Sequence, residues 1–124
     1  MPRRMATHNL SLTRCSTGAH IARLKRASNW WSKGIGLLGQ RALPAGEGLW
    51  LPGVASVHTL CMKFAIDLVF LDKNFGVMLI KRSVAPGMLH VGCLGAHHTL
   101  ELGSGTLTEN MLVVGDKCAI RNEH

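Results

Sequence analysis

Two pairs of potential metal ligands share one spacing in this chain, His58 with Cys61 and His90 with Cys93. Imidazole and thiolate are the ligands that zinc prefers, so the two pairs together predict a zinc site. Residues three apart on an extended strand point to opposite faces, so His58 and Cys61 can share an ion only across a turn or bulge. The simpler interpretation is a polar strand start at His58 and a buried thiol at Cys61.

The same residue types could supply a nucleophile, with Cys61 activated by His58 and oriented by Asp67. A reactive cysteine needs a partly exposed site that favours the thiolate. The apolar residues around Cys61 predict burial instead, which raises the pKa of a thiol. The pattern therefore disfavours an enzyme of this kind.

Asp67 and Glu101 are carboxylates inside apolar runs that we interpret as strands. A buried carboxylate requires either a cation or several backbone N–H donors. For Asp67 the chain offers Lys33, Lys63 or Arg41 as the cation. These acids predict either a structural ion pair that ties the sheet to the preceding segment or a ligand-binding pocket.

The basic residues are concentrated at the front of the chain. The net charge is +7, and the first 41 residues hold eight Lys and Arg and no Asp or Glu. Such asymmetry attracts acidic partners such as nucleic acid, anionic lipid or an acidic protein. Trp30 and Trp31 could stack bases, but no recognisable nucleic-acid-binding motif is present. A basic arm that aids solubility is the simpler interpretation.

The four cysteines permit two disulfides in an oxidising compartment. No stretch has the apolar length that a signal peptide or a membrane span needs. We therefore expect a cytoplasmic protein with free thiols and no membrane partner, in which Cys61 and Cys118 are small core residues.

Hydrophobic alternation and turn residues predict a mainly β protein. We expect a flexible basic tail over 1–7 and one β-rich domain over 8–124, with an amphipathic helix over 19–34 that rests on the spacing of Ile21, Leu24 and Trp31. Strands are predicted over residues 9–14, 49–51, 66–71, 77–81, 98–102, 111–114 and 117–120. Six or seven short antiparallel strands with one helix indicate a compact β-barrel or sandwich.

Four sequence blocks resemble those of the domain of unknown function 192 family, a group of small, mostly prokaryotic proteins. The blocks are KGIGLLGQ from Lys33, HTLCMKFAIDLVFLD from His58, LELGSGT from Leu100 and VGD from Val114. The chain departs from the family pattern at Lys33 and Gln40, where arginines are usual, and over 86–88, where Pro-Gly-Met replaces Pro-Trp-Arg. The resemblance implies a small, mainly β fold and no established catalytic role.

These patterns favour a binding module over an enzyme. Its ligand, an anionic small molecule or a protein segment, is expected to contact six residues: His58, Thr59, Met62, Asp67, Lys33 and Arg41. One alternative is a zinc-binding protein or hydrolase in which His97 or His98 joins His58, His90 and Cys93. The other is a nucleic-acid accessory protein that acts through the basic N-terminal region. No cofactor is expected outside the zinc alternative.

Overall fold

The computed structural model describes residues 10–26, 43–57, 59, 64–88, 90–108 and 111–123. These residues form strands and turns, and none of them lies in a helix. The strands are β1 (Leu10–Arg14), β2 (His20–Arg26), β3 (Glu47–Pro52), β4 (Ser56–Val57), β5 (Ile66–Leu71), β6 (Val77–Val84), β7 (Val91–Gly92), β8 (His98–Gly103) and β9 (Cys118–Asn122). The prediction of a mainly β protein is confirmed.

Seven strands form one sheet in the order β6-β5-β8-β3-β2-β1-β9, and β4 pairs with β7 in a separate ribbon. All neighbours in the large sheet are antiparallel except β2 and β3, which run parallel. The two edges of the sheet approach each other at one bridge, Gly76 with Lys117. Beyond that bridge β6 and β9 do not pair, so the sheet stays open and the predicted barrel is wrong.

The large sheet buries apolar side chains on both of its faces. The first core includes Leu12, Leu24, Val69 and Leu100. The second core includes Leu49, Leu68, Phe70 and Val91, and it is covered in part by side chains of the β4–β7 ribbon. Because strand side chains alternate between faces, β5 and β8 contribute to both cores, and every residue of β5 is buried.

The predicted helix over 19–34 is wrong for residues 20–26, which form β2. A register shift between Leu12 and Thr13 in the β1–β2 pair interrupts strict alternation. As a result Ile21, Ala22 and Leu24 all enter the first core, and this spacing imitates the apolar face of a helix. Residues 27–34 lie outside the described part of the chain. Nowhere in the described ranges is there a helix long and apolar enough to cross a membrane.

The hairpin from β5 to β6 confirms the predicted pairing and turn. The carboxylate of Asp72 accepts hydrogen bonds from the N–H groups of Asn74 and Gly76, at 2.8 and 2.9 Å. These bonds lower the pKa of Asp72, the bond from Gly76 most of all. The returning strand extends to Val84, three residues beyond the prediction.

The strand predicted over 111–114 is wrong, because this segment forms a turn. Leu112 is buried in the first core, whereas Val113 and Val114 are exposed. Asp116 closes the turn by accepting a 2.8 Å hydrogen bond from the N–H of Val113. Leu112 therefore covers the end of the first core together with the partly buried Met111, without forming a strand.

Candidate functional site

Asp67 lies in β5 with 1% of its surface exposed. One carboxylate oxygen accepts the N–H of Ser83 at 2.9 Å, and the other accepts the N–H of Leu107 at 3.3 Å. The cations predicted for it, Lys33, Lys63 and Arg41, lie outside the described residues. Of the two kinds of partner expected for this carboxylate, a cation or backbone N–H groups, the described residues supply backbone N–H groups.

The bond to Ser83 explains a local distortion of β6. The register of the β5–β6 pair changes between Ile66 and Leu68, so two residues of β6 lie opposite Asp67. Ser83 adopts a left-handed backbone conformation with φ of 52°, which is strained for a residue other than glycine. Asp67 thus stabilises the bulge that ends the regular part of β6.

Glu101 lies in β8 with 6% of its surface exposed, on the face of the second core. Its strand neighbours are Leu49 of β3 and Leu68 of β5, both members of that core. Burial raises the pKa of Glu101 to about 7. None of the described residues donates a hydrogen bond to its carboxyl group, in contrast to Asp67.

The backbone near Glu101 is tightly packed. A Cβ atom on Gly103, two residues further along β8, would collide with the backbone of Leu43 and Pro44. The segment that enters β3 therefore passes against the backbone of Gly103, and only glycine permits that approach.

Thr59 is a buried anchor for the loop that follows β6. Its N–H donates to the carbonyl of Met88 at 2.9 Å, and its carbonyl accepts from the N–H of Gly87 at 2.7 Å. Its hydroxyl donates to the carbonyl of Ala85 at 2.9 Å and accepts from the N–H of Met88 at 2.8 Å. With 1% of its surface exposed, Thr59 acts here by positioning residues 85–88.

An open groove of about 620 Å³ runs between the outer part of β6, the 85–88 loop and β7. Three nitrogen-bearing side chains, all exposed, line it together with apolar ones. The lining includes Lys81, Arg82, His90, Ile80, Val84, Met88 and Val91. Met88 is 45% exposed and is one of the apolar side chains of the groove. The groove thus combines positive charge with an apolar surface.

The predicted zinc ligands are only partly described. His90 is exposed and lines the groove, and Cys93 is half-buried against the second core. His58 and Cys61 lie outside the described residues, as do Met62, Lys33 and Arg41. Within the described ranges, no three His, Cys, Asp or Glu side chains are placed to hold one metal ion. The zinc site therefore stays a prediction.

The described cysteines Cys15, Cys93 and Cys118 are free thiols. Cys118 is a core residue, as the sequence predicts, and burial raises its pKa to about 12. Such a thiol stays protonated at neutral pH, so it is a poor nucleophile.

The described basic residues of the N-terminal half are divided between different surroundings. Arg14 forms an ion pair with Asp116 at 3.0 Å, and Arg23 forms one with Glu123 at 3.3 Å. Arg26 lies over the ring of Trp50, 5.5 Å from its centroid. Strand alternation places Arg23 and Arg26 on opposite faces of β2, so the two do not share one surface patch.

Sequence patterns did not reveal an aromatic cluster at one end of the first core. The indole N–H of Trp50 donates to Nδ1 of His98 at 3.1 Å, and the rings of Phe75 and His98 stack with centroids 4.5 Å apart. Burial lowers the pKa of His98, with a further contribution from His97. Nδ1 of His98 is thus already engaged by Trp50 in this structure.

The cations of the groove were also missed. Lys81 and Arg82 follow an apolar run and look like ordinary solvent-exposed residues at a strand end. The only signal in the sequence was that two adjacent cations precede the Pro86-Gly87 turn. That they line one groove with His90 depends on the loop that Thr59 holds.

Comparisons with known proteins show which chains share this architecture. One solved structure, of a protein described as a candidate transcription regulator from Sinorhizobium meliloti 1021, has a TM-score of 0.76 at 16% identity and covers 95% of this chain and 97% of that chain. Another, a protein of unknown function from Novosphingobium aromaticivorans DSM 12444, has a TM-score of 0.69 at 22% identity over 90% of this chain and 83% of that chain. No curated protein matches this chain.

At these identities the solved structures establish a common fold and nothing about activity. The family model for domain of unknown function 192, described as an uncharacterized ACR, matches residues 12–120. The match extends from β1 into β9 and so includes every strand of both sheets. The chain therefore belongs to the domain of unknown function 192 family.

Proposed function

We propose that this protein is a binding module that holds an anionic ligand in the groove between β6, the 85–88 loop and β7. The observation that carries the proposal is that Lys81, Arg82 and His90 all line one partly apolar groove along the edge of β6. Positive side chains beside apolar surface suit a ligand with a carboxylate or phosphate head and an apolar part.

The framework around the groove supports this role. Four hydrogen bonds from Thr59 fix the 85–88 loop on one side. On the other side β7 pairs with β4, and the N–H of Cys93 donates to the carbonyl of Ala55 at 3.0 Å. A groove with fixed walls loses little conformational entropy when a ligand binds.

The proposal refines the ligand site expected from the sequence. Thr59 belongs to that expected set and holds the 85–88 loop that borders the groove, while Lys81 and Arg82 supply the charge. Met88, at the position where the family pattern has an arginine, adds apolar surface to the groove. An anionic ligand with an apolar chain therefore fits this chain better than a bare anion.

The test is a titration with hexanoate followed by the backbone amide signals in NMR spectra, with hexanol as the uncharged control. We expect shifts at Lys81, Arg82 and Gly92 with hexanoate, and much weaker binding of hexanol. Hexanoate has one carboxylate, and one exposed charge contact of about 0.7 kcal/mol corresponds to roughly threefold in affinity. The K81Q/R82Q double variant should therefore bind hexanoate about threefold more weakly, whichever of the two cations makes the contact.

The matched control is the K73Q/R121Q double variant, which removes one exposed lysine and one exposed arginine outside the groove. It has the same net charge as the groove variant. If both double variants bind hexanoate equally, the effect is one of overall charge and the proposal fails. Absence of any shift around the groove would also refute it.

A further inference from the structure

One edge of the large sheet borders the groove. β6 pairs with β5 on its inner side, and it is an outer strand of the seven-stranded sheet. At its beginning, Val77 exchanges backbone hydrogen bonds with residues 115 and 116, at 2.9 and 2.8 Å. From Leu79 to Arg82, the described part of the chain contributes no strand to the outer side.

This part of β6 therefore presents backbone donors and acceptors next to a basic, partly apolar groove. An unpaired strand edge accepts an extended peptide as an additional strand, and adjacent pockets select its side chains. We propose that the groove binds an extended acidic segment of a partner protein, which pairs with β6 over Leu79–Arg82. This inference rests on the proposed function, because the same cations hold the anionic groups.

The positions of the two cations specify the segment. Successive side chains of a strand point to opposite faces, so Lys81 and Arg82 project to the two sides of β6. A strand added beside β6 places its own successive side chains on those same two sides. Two consecutive acidic residues would each meet one cation, and apolar neighbours would contact Ile80 and Met88.

The same features exclude unselective pairing. Lysine and arginine on an edge strand, together with a bulge, discourage the addition of an apolar strand. Here the bulge at Ser83 ends the regular edge, which limits the pairing to a short segment. The cations at the edge thus repel basic segments. An apolar segment would remove water from Lys81 and Arg82 without offering them a partner. An acidic segment is therefore selected.

The experiment uses blocked pentapeptides and the full chain, with affinity measured by NMR titration. The acidic peptide is Val-Glu-Asp-Val-Thr, and its uncharged analogue is Val-Gln-Asn-Val-Thr. We expect the uncharged analogue to bind about tenfold more weakly, from two cross-strand ion pairs at about 0.7 kcal/mol each. The K81E/R82E variant should reverse the preference and bind Val-Lys-Lys-Val-Thr instead.

Backbone pairing is tested with two acidic peptides that are N-methylated at alternate residues. One is methylated at the odd positions and the other at the even positions, so that only one of them blocks the amides that face β6. Methylation of the amides that face β6 should abolish binding, and methylation of the outward amides should leave it unchanged. If both methylated peptides bind as well as the parent, strand addition is refuted, although hexanoate binding would still support the groove as an anion site. If hexanoate and the acidic peptide both fail to bind, the proposed function itself is wrong.

Discussion

Two buried acids on neighbouring strands have opposite environments in this protein. Asp67 of β5 and Glu101 of β8 are 1% and 6% exposed, and each lies between apolar neighbours. Asp67 faces the first core and accepts two backbone N–H groups, whereas Glu101 faces the second core without a donor from the described residues. Two acids that are similarly buried thus differ in the hydrogen bonds that the described residues offer to them.

The comparison also separates two kinds of contribution to the protein. The carboxyl group of Asp67 accepts hydrogen bonds from two backbone N–H groups in place of water, and it stabilises the bulge in β6. The carboxyl group of Glu101 is disfavoured as an anion, and its pKa is raised to about 7. One acid supports the fold, and the other lowers stability at high pH.

The largest effect is expected from removing the better-bonded acid. The Asp67→Ala variant leaves the N–H groups of Ser83 and Leu107 without an acceptor inside the protein, at a cost of about 3 to 4 kcal/mol in unfolding free energy. Urea unfolding measures this loss. The Asp67→Asn variant keeps one acceptor oxygen and should lose about half as much. A loss below about 1 kcal/mol in the alanine variant would show that water replaces the carboxylate.

The second prediction concerns the pH dependence that Glu101 imposes. Its folded pKa of about 7 lies above the ordinary value of 4.5, so its contribution is fully favourable below pH 4.5 and is lost as the pH rises to about 7. The difference of 2.5 pH units corresponds to roughly 3 kcal/mol. The Glu101→Gln variant should therefore be more stable than the parent by about that amount at pH 8, and similar to it at pH 4.

Unfolding both proteins at a series of pH values isolates this contribution, because all other acids are common to them. The difference between the two stability curves should change between pH 4.5 and pH 7 and be flat on either side. A difference that does not change with pH would mean that the pKa of Glu101 is not raised in the folded protein.

The smallest effect is expected at the bulge that Asp67 supports. The Ser83→Gly variant relieves the strain of a left-handed backbone conformation. Its free energy of unfolding, measured by thermal unfolding, should therefore rise by about 0.5 to 1 kcal/mol. The hydroxyl of Ser83 also lies 3.3 Å from that of Ser104, so Ser104→Ala serves as the control for that contact. If Ser83→Gly is destabilising while Ser104→Ala is neutral, the left-handed conformation is not a source of strain.

Much of the fold followed from patterns along the chain. The apolar run of β5 and the turn that begins at Asp72 predicted the central hairpin, because both depend on local alternation and local hydrogen bonds. The prediction failed where pairing partners altered the alternation. In β2 the register shift against β1 buries Ile21, Ala22 and Leu24 together. The residues of β2 by themselves do not predict that shift.

The candidate site was less accessible to prediction. His58, Met62, Lys33 and Arg41 lie outside the described residues, so their expected ligand contacts stay predictions. The ligand contact expected of Thr59 also stays a prediction, and the structure gives this residue four hydrogen bonds to the loop over 85–88. Lys81 and Arg82 were missed because a cation at a strand end is usually only solvated.

The sequence by itself determined the family, the mainly β composition and the fact that two acids would be buried. These properties depend on residue type and on spacing of a few residues. Only the tertiary structure decided which acid received donors, because the N–H groups of Ser83 and Leu107 are 16 and 40 residues away from Asp67. Every residue except proline carries the same backbone N–H group. The residue types therefore cannot predict which of these groups will donate to a buried carboxyl group.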